Sequence, residues 1–339
     1  MSMLLTRLVS PTRSAVCRSP RYGSMCMRTL STAGNGKTDQ ALRRSYLYVP
    51  SSSDRMLDKS LSTPSDDSVP PSPHDKDSAR QRLSTHTPEH KLPHPERIAV
   101  RLNDITTPFF ENDISEILKS PFVRTLVLPK IHSVRDLHHV SRAIRTSRDR
   151  TSTSFPIRIV ASVESARSAW NLGEIASWTS EYGPDAGGKL GALLVYCADT
   201  SVVRTPSRLE LLYVRSQIAI AAKAFGLDSI DMVCVNYKDL NYLKDECEDG
   251  RRLGFNGKQA IHPTQVDIIH STFVPTEKEI LRAATILRQM EVAHSSQKGA
   301  FGLEMEGGGK EMIDAPMLKQ AENIIRVAKA AGLEIPGVG

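Results

Sequence analysis

The chain has 339 residues, 40% of them hydrophobic, enough for one large α/β barrel or two smaller domains. Its formal net charge of +6 sits almost wholly in residues 1–44, where eight basic residues face Asp39 alone; the remainder is near neutral, which argues against a nucleic-acid-binding surface. Five cysteines with no paired spacing exclude a zinc or dithiol motif, and no run approaches the roughly 18–20 apolar residues that a membrane span needs.

In chain order, residues 1–40 come first. They are rich in Arg and Ser and hold no acid before Asp39. That composition reads as a mitochondrial transit peptide, with Leu4, Leu5, Leu8 and Val9 as the apolar side of a short helix. Arg28–Ala33 reads as the processing region, and a new N-terminus is expected between Leu30 and Thr38. A disordered basic tail is the alternative. Matrix targeting would leave Cys197, Cys234 and Cys247 as reduced thiols, with Cys234 buried on a strand.

Apolar runs then alternate with helical patterns. Strands are expected at Tyr46–Val49, Ile98–Leu102, Thr125–Leu128, Ile157–Ser162, Leu190–Tyr196, Met232–Val235 and Gln259–Ile261. Helices are expected at about 134–146, 165–178, 207–225, 238–252 and 276–295. Nearly continuous apolar strands separated by helices imply a parallel sheet covered on both faces. Residues 62–96 break the pattern. Seven prolines among Ser, His and Asp leave no room for a strand, so this stretch reads as irregular. The seven strands are one short of a closed eight-stranded barrel.

Several residues at strand ends carry chemistry. Gly254-Phe-Asn-Gly-Lys-Gln-Ala-Ile-His-Pro263 reads as a strand end feeding a tight polar loop. Its glycines permit close approach, and Lys258 offers a cation to a phosphate or carboxylate. His262 before Pro263 reads as packed rather than as a ligand. Glu164 ends a strand, where a carboxylate can hold a hard cation such as Mg²⁺; it reads equally as an acid at a helix N-terminus. Arg101 offers a planar fork for a carboxylate, or a surface pair with Asp104 or Glu96. Lys130 is placed to orient Glu164, to touch a phosphate or to face solvent. Asp314 before Ala315-Pro316 is an N-cap candidate.

Five ordered stretches tie these residues together: Arg97-Ile-Ala-Val-Arg101, Leu126-Val-Leu-Pro-Lys130, Ile157-Arg-Ile-Val-Ala-Ser-Val-Glu164-Ser, the Gly254–Pro263 run and Met312-Ile-Asp314-Ala-Pro. Together they resemble the citrate lyase β-subunit-like branch of the HpcH/HpaI aldolase superfamily, in particular its mitochondrial citramalyl-CoA lyase-like members. The likeness runs from about Arg44 to Gly332. It implies a TIM (β/α)₈ barrel over 44–295, here short of one strand, and a C-terminal extension with a helix over 296–339. It implies a Mg²⁺-dependent carbon–carbon lyase or synthase acting on a CoA thioester and a small keto acid. Arg101 would grip the substrate carboxylate, and Glu164 would hold the metal. Gly257 and Lys258 would line the CoA side. Asp314 would reach a neighbouring subunit's site as acid or base, in a homo-oligomer expected to be a trimer.

Two departures stand out against the family pattern. A strand with an acidic end is missing near Asp67–Ser68, and four or five residues holding the second metal carboxylate are missing after Val195. Asp199 stands four residues beyond, either as a replacement ligand or as a turn cap, with the cap favoured. These gaps lead us to expect impaired activity, or a non-catalytic chain that associates with full-length subunits. A malate-synthase-like enzyme on the same barrel is the remaining alternative.

Overall fold

Alternation along the strands sorts side chains into two layers, and the architecture follows from that. The computed structural model describes residues 42–49, 55, 63–69, 95–148, 155–199, 201–295, 301–304 and 310–337. The N-terminal arm, its expected processing region and most of the proline-rich stretch lie outside the described residues.

The sheet is built from β1 (Ser45–Tyr48), β2 (Asp67–Val69), β3 (Ala99–Arg101), β4 (Thr125–Leu128), β5 (Arg158–Ser165), β6 (Lys189–Asp199), β7 (Asp228–Asp231) and β8 (Gly257–Ala260). All their pairings are parallel, in the order β2-β1-β8-β7-β6-β5-β4-β3. The two ends of this order, β2 and β3, approach each other, so the sheet curls into a TIM-barrel-like form. Tyr46, Ala99, Val127, Val160, Ala192, Leu194 and Ile230 fill its interior. Leu47, Ile159, Ala161, Leu193 and Val195 alternate with them and join the larger core beneath the helices.

The helices are α1 (Phe110–Ile117), α2 (Val134–Arg148), α3 (Ala166–Trp170), α4 (Leu172–Ser177), α5 (Gly183–Gly187), α6 (Leu212–Ala224), α7 (Leu240–Leu253), α8 (Val266–Thr272), α9 (Glu277–Ser295) and α10 (Ala315–Ala330). In α2, Leu137, Val140, Ser141 and Ile144 form the buried stripe, at the spacing of a half-buried helix. Asp239 caps the start of α7 by accepting from Tyr242 N at 3.0 Å, and Gly254 ends it in the left-handed region at φ 98°. A hairpin of β9 (Phe301–Glu304) and β10 (Lys310–Ile313) precedes α10. Ile280, Ala283 and Ile286 of α9 pack on Ile313, Ala321, Ile325 and Ala328 as a separate small core.

Four expectations are corrected. A strand does exist within 62–96: β2 is only three residues long but pairs in register with β1 through Tyr46–Asp67, Leu47–Ser68 and Tyr48–Val69. The seventh strand lies at Asp228–Asp231, not Met232–Val235. Its polar outward residues disguise it: Ser229 N bonds Asn256 Oδ1 at 3.0 Å, and Asp231 faces Arg215. Cys234 is buried as expected, but it lies beyond that strand. The helix expected over 165–178 breaks at Asn171 into α3 and α4.

Candidate active site at the mouth of the barrel

The inward-facing ends of β1, β3 and β5 meet at the C-terminal mouth of the sheet. Counting inward from Tyr46, Ala99 and Val160 places Tyr48, Arg101 and Glu164 on the same side. Arg101 Nη2 stands 3.9 Å from Glu164 Oε1, so these two expected site residues are brought together. Glu164 is 3% exposed, whereas the Arg101 side chain keeps 31% of its surface open. A buried carboxylate and a half-open guanidinium thus share one mouth. Arg101 does not pair with Asp104 or Glu96. Asp104 instead holds the turn, accepting from Thr106 N at 2.9 Å.

Two residues of this mouth escaped the sequence reading. The Arg101 guanidinium lies 5.8 Å from the centre of the Tyr48 ring. Burial raises the Tyr48 pKa; Arg101 opposes the shift, while Glu164 and Tyr196 add to it. The phenol therefore stays neutral at physiological pH. Tyr48 Oη donates to Gln259 Oε1 at 3.0 Å. Gln259 Nε2 donates in turn to Val195 O at 2.8 Å and to Asp231 O at 3.1 Å. One amide thus links the ends of β1, β6 and β7. The signal for Tyr48 was available, since it follows Tyr46 by two in a strand. Gln259 carried no signal, because its partners, two carbonyls and the Tyr48 hydroxyl, are distant in sequence.

Asp199 ends β6, and its backbone pairs with Ser165, the residue after Glu164. Between the Val163–Val195 and Ser165–Asp199 pairs the register shifts, with four residues of β6 advancing against two of β5. The distortion coincides with the point where residues were expected to be missing. Among the described residues, no group of three or more His, Cys, Asp or Glu side chains is arranged to hold a metal. Lys130 follows β4, half-buried, with a left-handed φ of 51°. A non-glycine residue held there stores strain, as residues near binding sites often do.

Lys258 is a correction. Lys258 is fully buried and points outward, away from the mouth. Its Nζ lies 3.1 Å from Glu246 Oε2 and 3.7 Å from Asp231 Oδ2. Burial works against its charge, but Asp231 and Glu246 outweigh it and leave the pKa raised. Arg215 closes the same network: a fork on Asp231 at 3.1 and 2.8 Å, with a third bond to Asp249 at 2.6 Å. Arg204 binds Glu246, and Arg208 binds Asp245 at 2.6 Å. Lys258 is thus committed to holding α7 against the sheet and has no surface to offer a phosphate. Gly257 begins β8, at the opposite end from the mouth. A Cβ there would run into the backbone of Arg44, whose carbonyl accepts from Lys258 N at 2.8 Å. The glycine permits that close approach of the two strands.

Asp314 is exposed and caps α10, accepting from Met317 N at 3.1 Å. His262 accepts from Thr264 N and stacks on Tyr237 at 4.9 Å between ring centres, consistent with a packing role. The buried thiols of Cys234 and Cys247 are pushed up to about 11 and about 12 by burial, which keeps them protonated and inert. No helix among the described residues is long and apolar enough to cross a membrane.

Comparison with known proteins gives this geometry a context. The family model for HpcH/HpaI aldolase/citrate lyase matches residues 44–263, and that for a C–C bond lyase of the TIM-barrel fold matches residues 210–333. A citrate lyase subunit beta-like protein of Deinococcus radiodurans is 32% identical over 237 residues, covering 67% of this chain and 74% of its own. The mitochondrial citramalyl-CoA lyase of Rattus norvegicus is 28% identical over 334 residues, covering 96% of this chain and 94% of its own. A citrate lyase structure from Burkholderia xenovorans shares the fold, with a TM-score of 0.73 at 19% identity, over 87% of this chain and 94% of that one. Protein CitE from Mycobacterium tuberculosis, solved with magnesium, acetoacetate and coenzyme A, superposes with a TM-score of 0.64 at 26% identity, over 87% of this chain and 100% of that one.

Proposed function

Because this chain belongs to the HpcH/HpaI aldolase/citrate lyase family, whose named relatives are carbon–carbon lyases, we propose that it cleaves a CoA thioester of the citramalyl-CoA type, giving acetyl-CoA and pyruvate, or runs the reverse. The observation that carries this reading is the Arg101–Glu164 pair at 3.9 Å in the mouth, inside the matched stretch.

The residues suit Mg²⁺. That ion is held by one or two carboxylates, with substrate and water completing its shell. Glu164 supplies a buried carboxylate, and the end of β6 brings the Asp199 backbone beside it. Bound there, Mg²⁺ would polarise the keto-acid carbonyl as a Lewis acid. Arg101 would take the substrate carboxylate in its fork and fix its orientation. Asp314, at the exposed start of α10, would move the proton at the acetyl carbon from a neighbouring copy in a homo-oligomer, which we place as a trimer. Matrix localisation is supported by the composition of residues 1–40 and by relatives named as mitochondrial.

A second reading has its own observation. The described residues contain no three-ligand cluster, and β6 is bulged where the second carboxylate was expected. On that reading the chain is a slow or non-catalytic associate of full-length subunits. One experiment separates the two. Acetyl-CoA and pyruvate release from citramalyl-CoA is measured with Mg²⁺ and with chelator, alongside Glu164→Gln and a version with the residues expected after Val195 restored. Mg²⁺-dependent release that is lost in Glu164→Gln supports the lyase. Release equal to the chelated blank, recovered only by the restored version, supports the associate.

A further inference from the structure

The hydrogen-bond directions at Gln259 settle what the Tyr48 hydroxyl does. Both amide hydrogens of Gln259 are committed, one to Val195 O and one to Asp231 O. Its Oε1 is left as an acceptor only. Tyr48 Oη lies 3.0 Å from that oxygen and must donate to it. A phenol has one hydrogen, so this hydroxyl has none to offer a ligand in the mouth. The ring, by contrast, lies beneath the guanidinium of Arg101, at 5.8 Å from its centre, within cation–π range. Arg101 needs such a seat. It ends a strand of three residues at one end of the hydrogen-bonded order, and Glu164 Oε1 at 3.9 Å is too distant to fix its fork by a hydrogen bond.

We propose that Tyr48 is a positioning residue of the carboxylate clamp: its ring seats the Arg101 guanidinium, and its hydroxyl serves to lock the ring onto Gln259. This rests on the reading that Arg101 holds the substrate carboxylate. The ring and the hydroxyl then have separable duties. Without the hydroxyl the ring stays and the seat loosens. Without the ring the seat is gone.

Tyr48→Phe and Tyr48→Leu separate the two. Pyruvate is titrated into each variant by calorimetry in the presence of Mg²⁺, and each Tm is recorded. Tyr48→Phe weakens binding about twofold and Tyr48→Leu about tenfold, in the range of a partly desolvated cation–π contact. A Tyr48→Phe variant as weak as Tyr48→Leu makes the hydroxyl a ligand contact and overturns the proposal. So does binding unchanged in both. If the native chain binds no pyruvate, the reading of the site has failed on its own. The seat is then judged without ligand, by ¹⁵N spectroscopy of the arginine side chains. An ordered Arg101 Nε–H signal in the native chain that collapses in Tyr48→Leu supports the seat, and an identical signal in all three removes it.

Discussion

Replacing Lys258 by Met tests whether this lysine is a structural cation or a ligand-binding one. Met keeps most of the side-chain volume and removes the charge. Asp231, Glu246 and Lys258 are all fully buried. Removing one partner of a buried ion pair costs about 3–5 kcal/mol, because the remaining charge stays desolvated. Here the carboxylates keep other partners: Asp231 retains the Arg215 fork, and Glu246 retains Arg204. The loss should therefore fall at the low end, about 3 kcal/mol. For a folded unit of about 300 residues that is a fall in Tm of roughly 5 °C. The whole effect is present at pH 7. A cation whose folded pKa is raised contributes fully below its unfolded value and loses that contribution only as pH rises through the folded one. Urea unfolding followed by circular dichroism measures the change, and calorimetry with acetyl-CoA is run beside it. Stability within about 0.5 kcal/mol of the native chain, together with lost CoA affinity, would refute the placement and return Lys258 to the ligand.

Two further outcomes follow from the N-terminal face of the barrel. Gly257→Ala forces a methyl group into the Arg44 backbone and should cost about 1–3 kcal/mol in urea unfolding; an unchanged midpoint would show that the strands do not approach so closely. His270, bonded to Ser45 Oγ at 2.8 Å, has its pKa lowered by burial and by Arg44 and Arg97, against the pull of Asp66 and Asp267. Below its unfolded value near 6.5 the unfolded chain binds the extra proton, so stability should fall as pH drops through that window, and His270→Gln should flatten the fall; identical pH profiles would remove His270 as the cause.

The mouth was more legible than the layer behind it. Arg101 and Glu164 end apolar strands, and a polar residue closing such a run at the C-terminal edge is visible in sequence. Their mutual distance was not, because it depends on the curl of the whole sheet. Lys258 misled for a definite reason. A lysine after two glycines resembles an anion site, and its true partners, Asp231 and Glu246, lie on another strand and on a helix that only folding brings near. The same network hid β7, since Ser229 and Asp231 break the apolar run that marks a buried strand. Asp314 as a helix cap was readable because the cap is a local bond. The three-residue β2 was not, because its evidence is pairing with β1 rather than anything in its own composition.

Lys258 and Gln259 are neighbours in one strand, yet one is spent on the helix layer and the other on the floor of the mouth. The turn between α7 and β8 is therefore an indexing device. Losing or gaining a single residue there would send each of the two side chains to the opposite face, since a strand's faces alternate with every position. A gained residue would bring the lysine into the mouth in place of the amide, and a lost one would set the amide against two buried carboxylates. Asn256 and Gly257 guard against that slip: Asn256 donates its backbone N–H to Ser229 O at 2.8 Å, and Gly257 admits only the close passage of Arg44. This segment should tolerate substitution far better than it tolerates a change in length.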